Sequence, residues 1–82
     1  IGISIAANKI NGIRCANLSD TYSAAKCVEH NDCNVISLGG RTLGVEIAFE
    51  IVDRFLTSKF EGGRHETRVE KIMDLEKNNT GR

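Results

Sequence analysis

The chain has 82 residues, enough for one small domain or part of one, and its eleven Lys and Arg balance eleven Asp and Glu. A net charge of zero removes any bulk electrostatic case for nucleic acid or an acidic membrane surface. Hydrophobic residues make up 40% without a run near the roughly 20 apolar residues of a membrane span, and no signal-peptide pattern opens the chain.

Ile1 to Lys9 reads as the body of a helix, with Ile1, Ile5 and Ala6 on one side, and Asn11-Gly12 marks a turn. Ile13 to Leu18 is a short segment bounded by turn signals, hence a strand. Ser19 and Asp20 are good caps for a helix over Thr21 to Glu29, whose apolar side is Ala24, Cys27 and Val28. His30-Asn31-Asp32 closes that helix with turn-tolerant residues. Asn34 to Leu38 is a second strand, stopped by Gly39-Gly40.

The clearest periodicity follows, from Leu43 to Leu56. Leu43, Ile47, Ala48, Ile51, Val52 and Phe55 form one stripe, and Glu46, Glu50, Asp53 and Arg54 cover the other side. A loop containing Gly62-Gly63 leads to a last helix, Arg64 to Lys77, and Asn78 to Arg82 reads as a frayed tail.

Helices alternating with strands predict βαβ units and a parallel sheet. Two strands do not make such a sheet stable, because parallel sheets need both faces covered. The opening Ile1-Gly2-Ile3-Ser4-Ile5, without Met, and the apolar second strand lead to the expectation of a longer protein, with further strands preceding Ile1, in preference to the alternative of strand pairing with another copy.

Cys15, Cys27 and Cys33 are an odd number with no close pair, which favours reduced thiols over a disulfide framework. Cys27-x-x-His30-x-x-Cys33, with Cys15, is a ligand set zinc accepts. It lacks the tight Cys-x-x-Cys knuckle, and its members fall in a predicted helix and a predicted strand. Small buried thiols are the expectation, with no metal.

Ligand sites of open parallel sheets lie beyond the carboxyl ends of the strands. Gly39-Gly40-Arg41-Thr42, with a helix start after it, is there either a corner for phosphate or carboxylate or ordinary turn chemistry. Arg64, Arg68 and Lys71 share a helix face, giving either two guanidiniums for a phosphate or a solvated face paired with Glu61 or Glu66. His30, at a helix end and flanked by Glu29 and Asp32, is either a general acid or base or an exposed last-turn histidine. His65 reads as an exposed helix start.

Taken together, the blocks Ile1-Gly2-Ile3-Ser4-Ile5-Ala6-Ala7-Asn8-Lys9, Gly12-Ile13-Arg14, Glu29-His30-Asn31-Asp32, Gly39-Gly40-Arg41 and Phe60-Glu61-Gly62-Gly63-Arg64-His65, with Arg68-Val69, resemble the ribose-5-phosphate isomerase B family. This family includes the galactose-6-phosphate isomerase subunits. The resemblance covers essentially the whole chain, in order. It implies a Rossmann-like three-layer α/β/α sandwich with a parallel sheet, of which residues 1–82 are the C-terminal portion of one sugar-phosphate isomerase domain, about two strands and four helices.

The implied reaction interconverts ribose 5-phosphate and ribulose 5-phosphate through an enediolate, in the pentose phosphate pathway of the cytoplasm and without a cofactor. Alternatives are a galactose-6-phosphate or other hexose-6-phosphate isomerase and a non-catalytic phosphate-binding or assembly fragment. By the resemblance His30 is the ring-opening acid and Asn31 a substrate-binding neighbour. Arg41, Arg64 and Arg68 bind phosphate, the last two in a partner subunit of a homodimer or dimer of dimers. Gly2 ends a glycine-rich loop whose N–H groups stabilise the enediolate. Some members carry a glutamate base at the position of Gly2; others use a cysteine upstream. The base is therefore expected before Ile1, none of the three cysteines here matches it, and residues 1–82 alone are expected to be inactive.

Overall fold

The computed structural model describes residues 1–79. Its elements run α1 (Gly2–Asn8), β1 (Cys15–Leu18), α2 (Thr21–Glu29), β2 (Val35–Leu38), α3 (Val45–Thr57) and α4 (Arg64–Asn79). All six expected elements form. Of the expected tail, Asn78 and Asn79 continue α4, and residues 80–82 lie outside the described residues.

β1 and β2 pair in parallel, with Cys15 opposite Val35 and Leu18 opposite Leu38. Asn17 donates across the pair from Nδ2 to Ser37 Oγ at 2.9 Å. Both strands start later than expected, β1 at Cys15 and β2 at Val35, and side-chain amides bond the backbone at the start of β1. The Arg14 N–H donates to Asn34 Oδ1 at 2.9 Å, and Asn34 Nδ2 donates to the Gly12 carbonyl at 2.8 Å. Asn8 does the same one residue on, accepting the Cys15 N–H at 2.8 Å and donating to its carbonyl at 2.9 Å.

Asp20 caps α2 from an extended backbone, its Oδ1 accepting the Ser23 N–H at 2.7 Å. Ala24, Cys27 and Val28 are buried along the inner side of α2, as its spacing predicts. There they join Leu18 of β1 and Ile51 of α3 in the core. Ile51 is fully buried, a transfer worth about 1.5–3 kcal/mol for a side chain of its size.

Two expectations are corrected. α3 starts at Val45, not Leu43, because the Gly39 carbonyl accepts both the Thr42 and Leu43 N–H groups in a turn and Gly44 then stands extended as the cap. Leu43 still packs on the core from that turn. In α1 the expected apolar side is not covered: Ile1, Ile5 and Ala6 are exposed, as is Ile3, and Ser4 is the buried residue, its hydroxyl donating to the Ile1 carbonyl at 2.6 Å. The seven-residue α1 packs beside both strands. No helix among the described residues is long and apolar enough to cross a membrane.

Candidate active site

The end of α2 builds the site. His30 is its C-cap, and the chain reverses two residues later at Asp32, whose φ of 50° is left-handed. Such a conformation is uncommon outside glycine and is best tolerated by Asn and Asp. Asp32 N–H donates to the Val28 carbonyl at 3.1 Å and Cys33 N–H to the Cys27 carbonyl at 2.9 Å, satisfying carbonyls of the helix end. Arg14 braces the reversal: Nε donates to the Asp32 carbonyl at 2.8 Å and Nη2 to Asp32 Oδ2 at 3.3 Å.

The carboxylates expected beside His30 are engaged elsewhere. Glu29 pairs with Lys26 at 3.0 Å, and Asp32 with Arg14. The carboxylate that does face His30 comes from the loop before α4. Glu61 N–H donates to the Glu29 carbonyl at 3.0 Å, fixing that loop to the end of α2, and its Oε1 stands 3.6 Å from His30 Nε2.

Gly62 and Gly63 follow with φ of 71° and 57°, a left-handed pair that starts α4. Their turn carries His65 inward. Contrary to the expectation of an exposed helix start, His65 is 8% exposed. Its Nε2 is also 3.6 Å from Glu61 Oε1. The His30 and His65 rings stack with centroids 4.1 Å apart and 10° between planes. Burial, then the neighbouring His30 and Arg64, push the His65 pKa below 6.5, with Glu61 pulling the other way.

The remaining expected residues surround this cluster or stand apart from it. Arg64 and Arg68 are exposed at the start of α4, and neither makes the ion pair with Glu61 or Glu66 weighed above; both bear electrostatically on His65. Asn31 is exposed and lines a cleft of about 850 Å³ with Arg14, Cys15 and Met73. Arg41 is exposed in the turn after β2, and with α3 starting at Val45 that turn does not run straight into a helix N-terminus. A side chain at Gly39 would meet the Thr42 hydroxyl, which would have to turn away from the Gly39 carbonyl to which it donates at 3.3 Å. Gly2 lies exposed in the first turn of α1, with nothing within 4 Å of where a Cβ would stand.

Among the described residues the donors able to converge on one metal ion are His30, Glu61 and His65, not the cysteine set around His30. Cys27 and Cys33 are thiols pushed up by burial, Cys33 to about 12. Glu61 and His65 are what the residue patterns missed. Glu61 entered only as an ion-pair candidate, and no periodicity links a loop acid to a helix end so distant in sequence.

Two imidazoles sharing one carboxylate, half open to solvent beside exposed guanidiniums, form an acid–base centre suited to an anionic substrate, set on a parallel α/β scaffold. The chain belongs to the Ribose/Galactose Isomerase family, whose model matches residues 1–72. It is 51% identical over 76 residues to ribose-5-phosphate isomerase B of Escherichia coli, covering 93% of this chain and 51% of that protein. It is 50% identical over 72 residues to D-erythrulose-4-phosphate isomerase of Pectobacterium atrosepticum, covering 88% and 47%. The solved ribose-5-phosphate isomerase B of Clostridium thermocellum superposes with a TM-score of 0.95 at 50% identity, over 98% of this chain and 54% of that one. The chain thus has the Rossmann-like fold of these isomerases and spans about half their length.

Proposed function

We propose that the protein carrying this chain is a sugar-phosphate isomerase of the cytoplasm that interconverts ribose 5-phosphate and ribulose 5-phosphate. The observation that carries the reading is the His30–Glu61–His65 cluster, in a chain half identical to a ribose-5-phosphate isomerase B. In this reading His30 delivers a proton to the furanose ring oxygen as the anomeric hydroxyl gives one up, opening the ring. A base then moves a proton between C2 and C1 through the enediolate. By the family resemblance, whose members without a glutamate at the position of Gly2 use an upstream cysteine, that base is a cysteine outside residues 1–82. Asn31 holds the sugar hydroxyls, and backbone N–H groups around Gly2 meet the charge developing on the enediolate oxygen. Arg41, Arg64 and Arg68 hold the phosphate, the last two across a homodimer.

The test is kinetic. In the intact protein, His30→Ala should depress turnover of ribose 5-phosphate, which is mostly cyclic, more than turnover of an open-chain substrate; equal losses would remove the ring-opening role. Arg64→Gln and Arg68→Gln should each raise KM by about 10–100-fold, the equivalent of one charge-assisted hydrogen bond of about 1.5–3 kcal/mol. A second reading, a shorter phosphosugar as substrate, is favoured by the 50% identity to the D-erythrulose-4-phosphate isomerase. Comparing kcat/KM for pentose, tetrose and hexose phosphates decides between them.

A further inference from the structure

Asn11 is the one asparagine in the sequence that a glycine follows. In such a pair the main-chain nitrogen of the glycine can attack the side-chain amide, because no Cβ crowds the five-membered ring that forms. Asn11 is exposed, and its side chain makes no hydrogen bond among the described residues. Asn8, Asn17 and Asn34 are held by hydrogen bonds and precede Lys9, Leu18 and Val35.

The attacking nitrogen is restrained. The Gly12 N–H donates to Glu76 Oε1 at 2.8 Å, Asn34 Nδ2 donates to the Gly12 carbonyl at 2.8 Å, and the Ile13 N–H closes the turn on the Ile10 carbonyl at 3.2 Å. Gly12, with φ of 84°, is the left-handed residue of that turn. Attack requires the nitrogen to give up its proton and to face the Asn11 amide. A carboxylate on the N–H opposes both, since it fixes the direction of the bond and its charge disfavours a second negative charge beside it. Glu76 is exposed near the end of α4, and α4 makes no extended contact with another helix or strand among the described residues. Arg14 Nη1, donating to Met73 Sδ at 3.6 Å, is the neighbouring tie. Segments so lightly held open at the lowest free energy.

We propose that Asn11 is a site of deamidation and that Glu76 controls its rate. When the end of α4 lifts, the Gly12 nitrogen attacks Asn11 Cγ while its proton passes through water to the departing nitrogen. The N–Cγ bond forms, the Cγ–Nδ2 bond breaks and ammonia leaves a succinimide behind. Water then opens the ring at either carbonyl, giving aspartate or isoaspartate, with nothing oxidised or reduced. The product carries one more negative charge on a cleft that Glu76 also lines, so the Gly12–Glu76 bond is disfavoured afterwards. Isoaspartate also adds a methylene to the main chain inside the turn. The modification therefore keeps the end of α4 away once it has lifted. This site stands apart from the isomerase reading.

The intact protein is incubated in mildly alkaline buffer and digested for peptide mass analysis. The expected result is the mass gain of an amide becoming an acid at Asn11 and at none of Asn8, Asn17 or Asn34, with isoaspartate detected by enzymatic methylation. Glu76→Ala, at an exposed position, should raise the rate about three- to tenfold, the effect of removing one solvent-exposed hydrogen bond from the closed state. Glu76→Gln, which keeps an acceptor without the charge, should fall between. In urea all three proteins should convert at one rate. Amide hydrogens near the end of α4 should exchange faster in the deamidated parent than in the unmodified one. Parent and Glu76→Ala converting equally fast in buffer overturns the control by Glu76. Asn11 intact in both, after converting in urea, overturns the site, and unchanged exchange in α4 overturns the release.

Discussion

His65 lies face to face with His30, ring centroids 4.1 Å apart, although one residue begins α4 and the other ends α2. The stack gives the half-exposed His30 ring a buried wall on one side, while Glu61 meets its Nε2 at 3.6 Å. An imidazole so held does not have to search for its orientation when a substrate arrives.

Gly62 decides where that wall stands. Its φ of 71° is costly for an L residue, by roughly 1–2 kcal/mol, yet a Cβ there would touch nothing within 4 Å. The cost is therefore of backbone origin and should follow αL tolerance. Gly62→Asn is expected to lower the urea midpoint slightly, and Gly62→Val much more, with turnover falling in the same order. Equal effects of the two would place the strain elsewhere.

Arg14 is expected to act on His30 and Asn31 without touching substrate. Its guanidinium holds both the carbonyl and the carboxylate of Asp32, the residue on which the chain reverses. Arg14→Met should cost about 1.5–3 kcal/mol of stability, the range for hydrogen bonds to charged groups, and should reduce kcat more than it raises KM. An unchanged kcat at intact stability would show that the reversal keeps its shape unaided.

How much of this was legible depends on the range of the forces involved. The stripe through Ile47, Ile51 and Phe55, the cap at Asp20 and the turn at Gly62-Gly63 are local, and residue spacing predicts each of them. The partner of His30 is not local. Glu29 and Asp32 are nearest in sequence, but Lys26 and Arg14 engage them, and the carboxylate at the imidazole belongs to a loop beyond α3. The exposure of Ile1, Ile3 and Ile5 was equally beyond a periodicity, which finds an apolar face but not what covers it.

Asp20 links the cap of α2 to pH. The Ser23 N–H, then the Ser23 side chain, hold its carboxyl below the usual 3.8. A carboxyl depressed in the folded chain contributes stability that is complete above its unfolded pKa and lost as pH falls through its folded one. Denaturation midpoints should thus decline more steeply below about pH 4 in the parent than in Asp20→Ser, which keeps a neutral cap. Parallel curves would remove the carboxylate from acid sensitivity.

Cys33 should be inert. Burial first, and then Cys27, raise its thiol to about 12, which at pH 8 leaves roughly one molecule in ten thousand as thiolate. Iodoacetamide labelling read by peptide mass should modify Cys33 in urea but not in buffer. Rapid labelling of the folded protein would show a thiolate that burial does not suppress.

Asn8 and Asn34 carry a last consequence. Each presents one amide donor and one acceptor to the main chain at the mouth of β1, as a neighbouring strand would. They act as a zero mark for the ladder, whose register sets Cys15 opposite Val35. A slip by one position would turn Leu18 out of the core and swing Asn17 into it. Loss of a single amide nitrogen, Asn34→Asp, turns a donor toward the Gly12 carbonyl into a second acceptor, so one atom at the edge of the sheet guards the facing of every residue along it.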